Sequence, residues 1–335
     1  MDSKAINIVW LKRDLRSQDH EPLLKAECAG IPYLIIYVFE PSRIEYPDTS
    51  LRHLQFIYHS VDNLNKVLSE FNRRVELLYG EAIDVFDYLI KNFDISSVFS
   101  YQESGTQSSW ERDKKIKKFC KSNEICWEQS QRDGILRGIK NRKDWNKKWH
   151  LKMRASVIQN KYTISKETPL EHSFLIPSKL ESELKEYPKY YQPAGEKNAW
   201  RYLKSFASQR GFNYQRHISK PMESRMSCSR LSPYLSWGNM SIKQAFQFIG
   251  THPNRTKKSK PFSAMLTRLH WHCHFIQKFE MECRYETQCI NSGYEFLSHK
   301  KNKAFIIAWK TGNTGYPLID ACMRAVESTG WINFR

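Results

Sequence analysis

The stretch INIVWLKRDLR, residues 6–16, decides the fold class of this chain. It begins as a short apolar run rich in β-branched and aromatic residues, which is typical of a buried strand. A dinucleotide-binding fold would continue with the pattern G-x-G-x-x-G, whose glycines let the backbone approach a pyrophosphate. Here Lys12, Arg13 and Asp14 follow instead. The stretch therefore predicts the first strand of a Rossmann-like sheet without the dinucleotide fingerprint, which argues against an oxidoreductase.

Similar apolar runs recur along the first third of the chain, separated by segments with helical spacing. One such segment, LRHLQFIYHSVDNLNKVLSEF, is apolar at Leu54, Ile57, Val61, Leu64 and Leu68, which is the spacing of one helix face. Strands that alternate with helices form a parallel sheet covered on both faces, and ligands bind beyond the carboxyl ends of its strands. The further strand candidates are YLIIYVFE, VELLYG, SVFSYQE and EICWEQ.

The rest of the chain changes character twice. Residues 136–196 are first basic and aromatic and then rich in proline and charge, which is typical of a connection between domains. From residue 197 onward helical spacing dominates and strand signals are scarce. We therefore predict an α/β domain over residues 1–135, a connector over residues 136–196 and an all-α domain over residues 197–335.

The charge of the chain, +18 overall, is unevenly distributed. Residues 1–100 contain 11 Lys and Arg against 15 Asp and Glu, whereas residues 101–335 contain 42 against 20. A basic excess confined to one part of a protein favours a polyanionic partner for that part. A solvated basic face without a partner is the alternative.

The sequence shows no sign of a membrane span, a signal peptide or a metal site. No apolar run reaches the roughly 18 residues that a membrane span needs, and the first residues, MDSKAINIVW, lack the apolar core of a signal peptide. We therefore expect an intracellular protein, whose scattered cysteines are free thiols. His270, His272 and His274 predict no metal site, because alternate residues of a helix point about 200° apart.

A second informative stretch is SCSRLSPYLSWGNMS, residues 227–241. Pro233 fits the first turn of a helix, where its missing N–H costs nothing. Helix N-termini suit a phosphate because they offer free N–H groups and a partial positive charge, and Ser229, Arg230 and Ser232 can add donors. On these residues alone, an anion site and an ordinary capped helix start both stay open.

Three stretches in one order resemble the signatures of the DNA photolyase/cryptochrome family: IVWLKRDLRSQDHEPLLKA, SRLSPYLSWGNMS and AWKTGNTGYPLIDACMRAVESTGWINFR. The resemblance covers the whole chain. It implies an α/β antenna domain followed by an all-α domain that binds FAD in a folded, U-shaped form. The loop at residues 228–232 is then expected to contact the FAD diphosphate.

The resemblance also implies individual roles. Cys228 stands where the family often has threonine, His272 where many relatives have an arginine near the phosphates, and Arg268 where dimer-repairing relatives often have glutamate. Trp271 falls where the family places the tryptophan that packs against a thymine dimer; an ordinary core tryptophan is the alternative. The expected FAD contacts are Tyr214, Cys228, Ser229, Arg230, Leu231, Ser232, Arg268, His272 and Asn333, and the expected lesion contacts are Trp271 and Arg335.

The C-terminal part carries two further expectations. Asp320 and Arg324 lie four residues apart, so they share a helix face and are expected to form a structural pair. Trp331 and Asn333 match the start of a helix that continues in relatives beyond the position of Arg335. We therefore expect the chain to be the front part of a longer protein, with an FAD-binding domain that is incomplete at its C-terminus.

The function that the resemblance implies is light-driven repair of pyrimidine dimers in DNA. Reduced FAD passes an electron to the dimer, the dimer splits and the electron returns. UV-damaged DNA is the expected partner of a monomeric protein. A second, antenna chromophore of unknown identity is possible, since YQESG and residues 127–136 lie where antenna contacts often fall. Two alternatives stay open: a cryptochrome blue-light photoreceptor, and a truncated remnant that binds nucleic acid through charge.

Overall fold

A computed structural model describes residues 5–166 and 170–333 of the chain. Its first part contains a five-stranded sheet in the order β3-β2-β1-β4-β5, in which all neighbouring strands are parallel. The strands are β1 (Ile6–Leu11), β2 (Tyr33–Phe39), β3 (Val75–Tyr79), β4 (Ile95–Tyr101) and β5 (Cys126–Ser130). The predicted Rossmann-like fold class is confirmed, with the stretch that opens the chain as its central strand.

Helices cover both faces of the sheet. One face packs on α1 and α3, and α3 buries the five apolar side chains that the sequence pattern selected. The other face packs on α4 and α5, which bury Phe86, Leu89 and Ile116 against it. The helices of this part are α1 (Glu21–Cys28), the short α2 (Pro41–Ile44), α3 (Leu51–Leu68), α4 (Ala82–Asn92) and α5 (Gln107–Ser122).

The second part is helical, as predicted. Its core is built around Trp145 and Trp149 from α6 and Phe262, Met265 and Leu269 from α14, all nearly inaccessible to solvent. No helix in the described ranges is long and apolar enough to cross a membrane. The helices are α6 (Trp145–Arg154), α7 (Ser178–Lys185), α8 (Glu196–Ser205), α9 (Tyr214–His217), α10 (Pro221–Ser227), α11 (Ser232–Ser236), α12 (Ile242–Thr251), α13 (Asn254–Lys257), α14 (Ser259–Met281), α15 (Lys303–Lys310) and α16 (Pro317–Thr329).

The predicted connector contributes to both parts. Its first helix, α6, belongs to the helical core, whereas the chain after α6 returns along the α/β part. There Ser165 N–H donates to the carbonyl of Phe71 at 2.8 Å, and Tyr79 N–H donates to that of Phe174 at 2.9 Å. Leu184 of α7 is fully buried in the core under α3. Residues 156–166 and 170–185 therefore form a strap on the α/β part, and the predicted domain boundaries stay a prediction.

Burial changes after the end of α14. Side chains of α15 and α16 that a folded core would normally cover are exposed: Phe305 by 74%, Trp309 by 51% and Leu318 by 65%. The two helices contact each other. They are thus much less supported than the helices that precede them.

Candidate functional site

The segment 228–241 has two differently placed halves. Its first half, the loop Cys228–Ser232, joins α10 to α11. Arg230 takes a left-handed backbone conformation with φ 58°, which non-glycine residues adopt rarely and mainly where surrounding contacts enforce it. Cys228 and Leu231 are buried, Ser229 and Arg230 are half-buried, and Ser232 is exposed.

Two side chains hold this loop by its carbonyl groups. The guanidinium of Arg210 donates to the carbonyls of Cys228 and, at 3.3 Å, of Ser229. Gln192 donates to the carbonyl of Arg230 at 2.8 Å and accepts from the Nε atom of Arg230 at 3.1 Å. Because four backbone and side-chain groups are fixed in this way, the loop is preorganised.

The loop concentrates positive charge. Burial lowers the pKa of both Arg210 and Arg230. The charge of Arg230 lowers the pKa of Arg210 further, and the charge of Arg225 lowers the pKa of Arg230 further. The ring of Trp331 lies 4.9 Å from the guanidinium of Arg230 and 5.8 Å from that of Arg225. Clustered, partly desolvated guanidiniums favour an anionic ligand with several oxygen atoms, such as a phosphate or diphosphate.

Helix α14 carries two predicted site residues, Arg268 and Trp271. The guanidinium of Arg268 lies 4.3 Å from the ring centre of Trp271, one helical turn away. Burial raises the pKa of the Cys228 thiol to about 11, and the charges of Arg210, Arg230 and Arg268 act against that rise. Arg268 is therefore close enough to the loop to influence it. The Trp271 side chain is 41% exposed, which argues against the alternative of a core tryptophan.

His272 points elsewhere. It lines a cavity of about 390 Å³ between α14 and the α/β part, together with Arg13, Arg132 and Ser236. Burial lowers its pKa, and Arg132 lowers it further against the opposing effect of Asp133. The structure thus places His272 beside Arg132 and not beside the Cys228–Ser232 loop, and its role toward FAD stays a prediction.

Tyr214 and Asn333 are held within the helical part. Tyr214 is 6% exposed and packs its ring on Phe206, with the ring centres 5.6 Å apart. The side-chain amide of Asn333 donates to the carbonyl of Ile218, next to α9. The FAD contacts predicted for both residues stay predictions, and Arg335 lies outside the described residues.

The expected pair of Asp320 and Arg324 requires a correction. Asp320 accepts hydrogen bonds from Thr314 and Gly315, and Arg324 donates to the carbonyl of Gly312 at 2.7 Å. The hydrogen bonds from Thr314 are the first cause of the lowered pKa of Asp320, and the Arg324 charge is a lesser one. The two side chains therefore fix the turn before α16 instead of binding each other, because that turn offers free backbone groups.

The second half of the segment 228–241, Trp237–Ser241, joins the two parts of the molecule. Gly238 has φ 72°, and a Cβ atom there would lie 2.2 Å from the carbonyl oxygen of Arg13, so only glycine fits. Leu15 N–H donates to the carbonyl of Trp237 at 3.1 Å, and Asn239 donates to that of Leu15 at 2.9 Å. We call this contact the junction.

Charged groups complete the junction. Lys243 forms a 2.7 Å ion pair with Asp19, and Ser241 donates to the same carboxylate at 2.6 Å. Arg16 donates to the carbonyl of Gly238 at 3.3 Å. The loop after β1, where dinucleotide-binding proteins hold a pyrophosphate, is thus occupied by the helical part.

A second cavity, of about 180 Å³, lies at the carboxyl ends of the central strands. Arg112 binds Glu40 at 2.8 Å and Glu103 at 2.6 Å across it. Although burial raises the pKa of Glu103, the charges of Arg112, Arg43 and Arg13 hold it well below its usual range. Trp237 of the junction also lines this cavity. Its charged wall and aromatic side chains suit a planar polar molecule.

Together, a parallel α/β part and a helical part with a basic loop suit the class of proteins that hold a phosphate-bearing cofactor. Two family models match the chain: "DNA photolyase" over residues 7–141 and "FAD binding domain of DNA photolyase" over residues 265–335. The chain belongs to the DNA photolyase/cryptochrome family, as its sequence motifs predicted.

Curated relatives include both branches of the family. The chain is 27% identical to the deoxyribodipyrimidine photo-lyase of Buchnera aphidicola, with 98% of this chain and 71% of that protein covered. The enzyme of the same name from Salmonella typhimurium is 24% identical, with 98% and 72% covered. Cryptochrome-1 of Gallus gallus is 22% identical, with 98% and 57% covered.

Solved structures show the same fold. A bacterial class III photolyase from Agrobacterium tumefaciens gives a TM-score of 0.82 at 20% identity, covering 99% of this chain and 71% of that one. A Synechocystis cryptochrome gives 0.83 at 18% identity, covering 100% and 74%. An archaeal photolyase from Sulfolobus tokodaii, described with two FAD molecules, gives 0.76 at 23% identity, covering 98% and 72%.

FAD is the cofactor of this family, and the residues present fit it. The cations Arg210, Arg225 and Arg230 match the charge of its diphosphate, and the Ser229 hydroxyl beside them is a further donor. The expectation of FAD is thus confirmed through the family, while the role of each residue stays a prediction. Sequence reasoning missed Arg210 and Gln192, which lie 20 and 38 residues before Arg230 in the chain and carry no motif.

Proposed function

We propose that this protein is a light-dependent deoxyribodipyrimidine photo-lyase that repairs pyrimidine dimers in DNA inside the cell, acting as a monomer. The observation that carries the proposal is the half-exposed ring of Trp271 with the Arg268 guanidinium 4.3 Å away. An exposed aromatic face beside a cation suits a base extruded from DNA, because bases stack on aromatic rings and their phosphates attract cations.

The residues divide the work between cofactor and lesion. Arg230, with Arg225 and Arg210, neutralises the cofactor diphosphate, and the contacts of Gln192 keep Arg230 in place. Trp271 stacks on the extruded dimer. When bound, reduced FAD supplies the electron for the light-driven cleavage. The cavity beside Glu103 and Arg112 is our candidate for the second, antenna chromophore.

The test uses FAD-loaded protein, a reductant and an oligonucleotide with one thymine dimer, illuminated with blue light and kept in the dark in parallel. Dimers should disappear only in the light. Trp271→Ala should weaken lesion binding by about 1–3 kcal/mol, the usual worth of one stacked base, and Trp271→Phe should restore most of it. Arg230→Ala should instead lose FAD, since a charge-assisted hydrogen bond is worth about 1.5–3 kcal/mol.

A cryptochrome photoreceptor is the second candidate. Arg268 favours it, because this residue stands where dimer-repairing relatives often have glutamate. Flavin-loaded protein that leaves every dimer intact under light would favour this candidate over repair. Protein that retains DNA binding but takes up no FAD would instead indicate a remnant that binds nucleic acid through charge.

A further inference from the structure

Helix α6 and the residues before it form a strongly basic surface that the proposed function leaves without a role. Residues 140–154 contain seven basic residues and one acidic residue. We call its exposed cations the α6 strip, and they are Lys140, Lys143, Lys147, Lys148 and Arg154. Within the described ranges, none of these five cations forms an ion pair, so their charge is available to a partner.

Packing fixes the direction in which the α6 strip points. Trp145, Trp149 and Met153 are spaced four residues apart on α6 and are at most 1% exposed. They fill the core of the helical part. Because side chains four residues apart lie on one helix face, the opposite, basic face is held toward solvent.

The α6 strip is continuous with the surface around Trp271. Between them, Arg142 donates to the Nδ1 atom of His274 on α14 at 2.6 Å. His274 contacts the ring of Phe275 at 5.2 Å, and Phe275 contacts that of Trp271 at 6.3 Å between ring centres. Phe275 is 61% exposed. A chain of contacts therefore leads from the basic helix to the exposed aromatic pair.

His274 offers a donor along this route without needing a positive charge. Burial lowers its pKa, and so do the charges of Arg142 and Lys278, so the imidazole is neutral near pH 7. Its Nδ1 atom accepts from Arg142, so its proton sits on Nε2. A neutral N–H donor between two groups of cations suits a phosphate oxygen.

We propose that the α6 strip binds the phosphate backbone of the DNA that flanks the base at Trp271. This inference rests on the proposed function and extends it to a second surface. An anionic membrane is a poorer match, because a membrane-binding helix turns its apolar face outward and that of α6 faces the core. The strip would thus position the nucleic acid without reading its sequence.

The test compares two charge reversals of equal size in the full chain. Lys143→Glu/Lys147→Glu removes two cations from the strip. The control, Lys114→Glu/Lys118→Glu, removes two exposed cations with the same spacing from α5 on the α/β part. Both change the net charge by the same amount, so they separate a local contact from a general electrostatic effect. Far-UV circular dichroism and thermal unfolding would establish that both variants fold.

The readout is binding of undamaged duplex DNA at several salt concentrations. The α6 variant should bind about tenfold or more weakly. The slope of its log affinity against log salt should shrink by about 2, one unit for each phosphate that is no longer neutralised. The α5 variant should bind less than about threefold more weakly, through long-range charge alone. Binding to phosphatidylserine vesicles is measured in parallel. The inference would be overturned if both variants lost DNA affinity equally, or if the α6 variant lost only its affinity for the vesicles.

A Trp271→Ala arm separates this inference from the proposed function. That variant should lose its preference for dimer-containing DNA and keep its affinity for undamaged duplex, because the α6 strip is intact. If wild-type protein shows no lesion preference but the α6 variant still loses duplex binding, the inference about the α6 strip stands and the proposed repair function is wrong. If the α6 variant binds duplex DNA as tightly as wild type does, the inference about the α6 strip is wrong, whatever the result with dimer-containing DNA.

Discussion

The junction and the C-terminal helices α15 and α16 differ in how well their side chains are buried and paired. At the junction, Lys243 and Asp19 pair at 2.7 Å, and backbone groups bind each other across the interface. On α15 and α16, by contrast, Phe305 is 74% exposed and Leu318 65%. Buried, paired groups resist opening, whereas exposed apolar helices gain little free energy from staying folded. We therefore expect the junction to resist opening and α15 and α16 to open easily.

The largest expected effect of this contrast is in hydrogen exchange. Amides of β1 and β4 should exchange only through global unfolding, and those of α15 and α16 through local opening. We expect the two opening free energies to differ by about 5 kcal/mol or more. Mass-spectrometric exchange at neutral pH measures both, and similar protection of α15 and β1 would contradict the contrast.

A smaller effect is expected from filling the space at Gly238. Gly238→Val should destabilise the protein by about 3 kcal/mol or more, because its φ is positive and its Cβ would collide with the Arg13 carbonyl. Gly250→Ala is the matched control, since a Cβ at that position of α12 meets nothing within 4 Å and alanine favours helix. Urea unfolding compares the two, and equal midpoints would show that the junction is not tightly fitted.

The smallest effect concerns pH. Burial lowers the folded-state pKa of His272, so the unfolded protein binds a proton more readily. The stabilising effect is fully present above the unfolded pKa of about 6.5 and is lost as pH falls through the folded pKa, by at most about 1.4 kcal/mol per pH unit. Urea midpoints at pH 7.5 and 5.5 should differ less in His272→Gln than in wild type. Parallel pH dependence in both proteins would show that His272 is not buried.

Sequence reasoning recovered the elements better than their contacts. All five strands and the amphipathic face of α3 followed from local periodicity, which the chain carries at each position. The junction did not, because Leu15 and Asn239 lie far apart in sequence and only the fold brings them together. The local sequence feature that marks the junction is Gly238, shortly before the capping box formed by Ser241 and Gln244.

The site divides in the same way. The motif around Arg230 predicted a phosphate-binding loop, since its residue types lie in one short stretch, and that role stays a prediction. Its supports Arg210 and Gln192 were missed, and Asp320 and Arg324 were expected to pair when both bind a turn. A side chain with several neighbours within reach takes the partner that packing offers, and spacing alone does not decide among them.

The strap has a consequence for the order of events during synthesis. The sheet is complete at Ser130, yet its faces are closed by Leu170, Phe174 and Leu184, which are made later. At 5–20 residues per second, a ribosome needs about 3–11 s to go from residue 130 to residue 185. During that interval the nascent sheet has an incomplete core. The first part to leave the ribosome therefore keeps apolar surface exposed until the chain has passed through α6 of the helical part and returned, and faster elongation shortens that exposure.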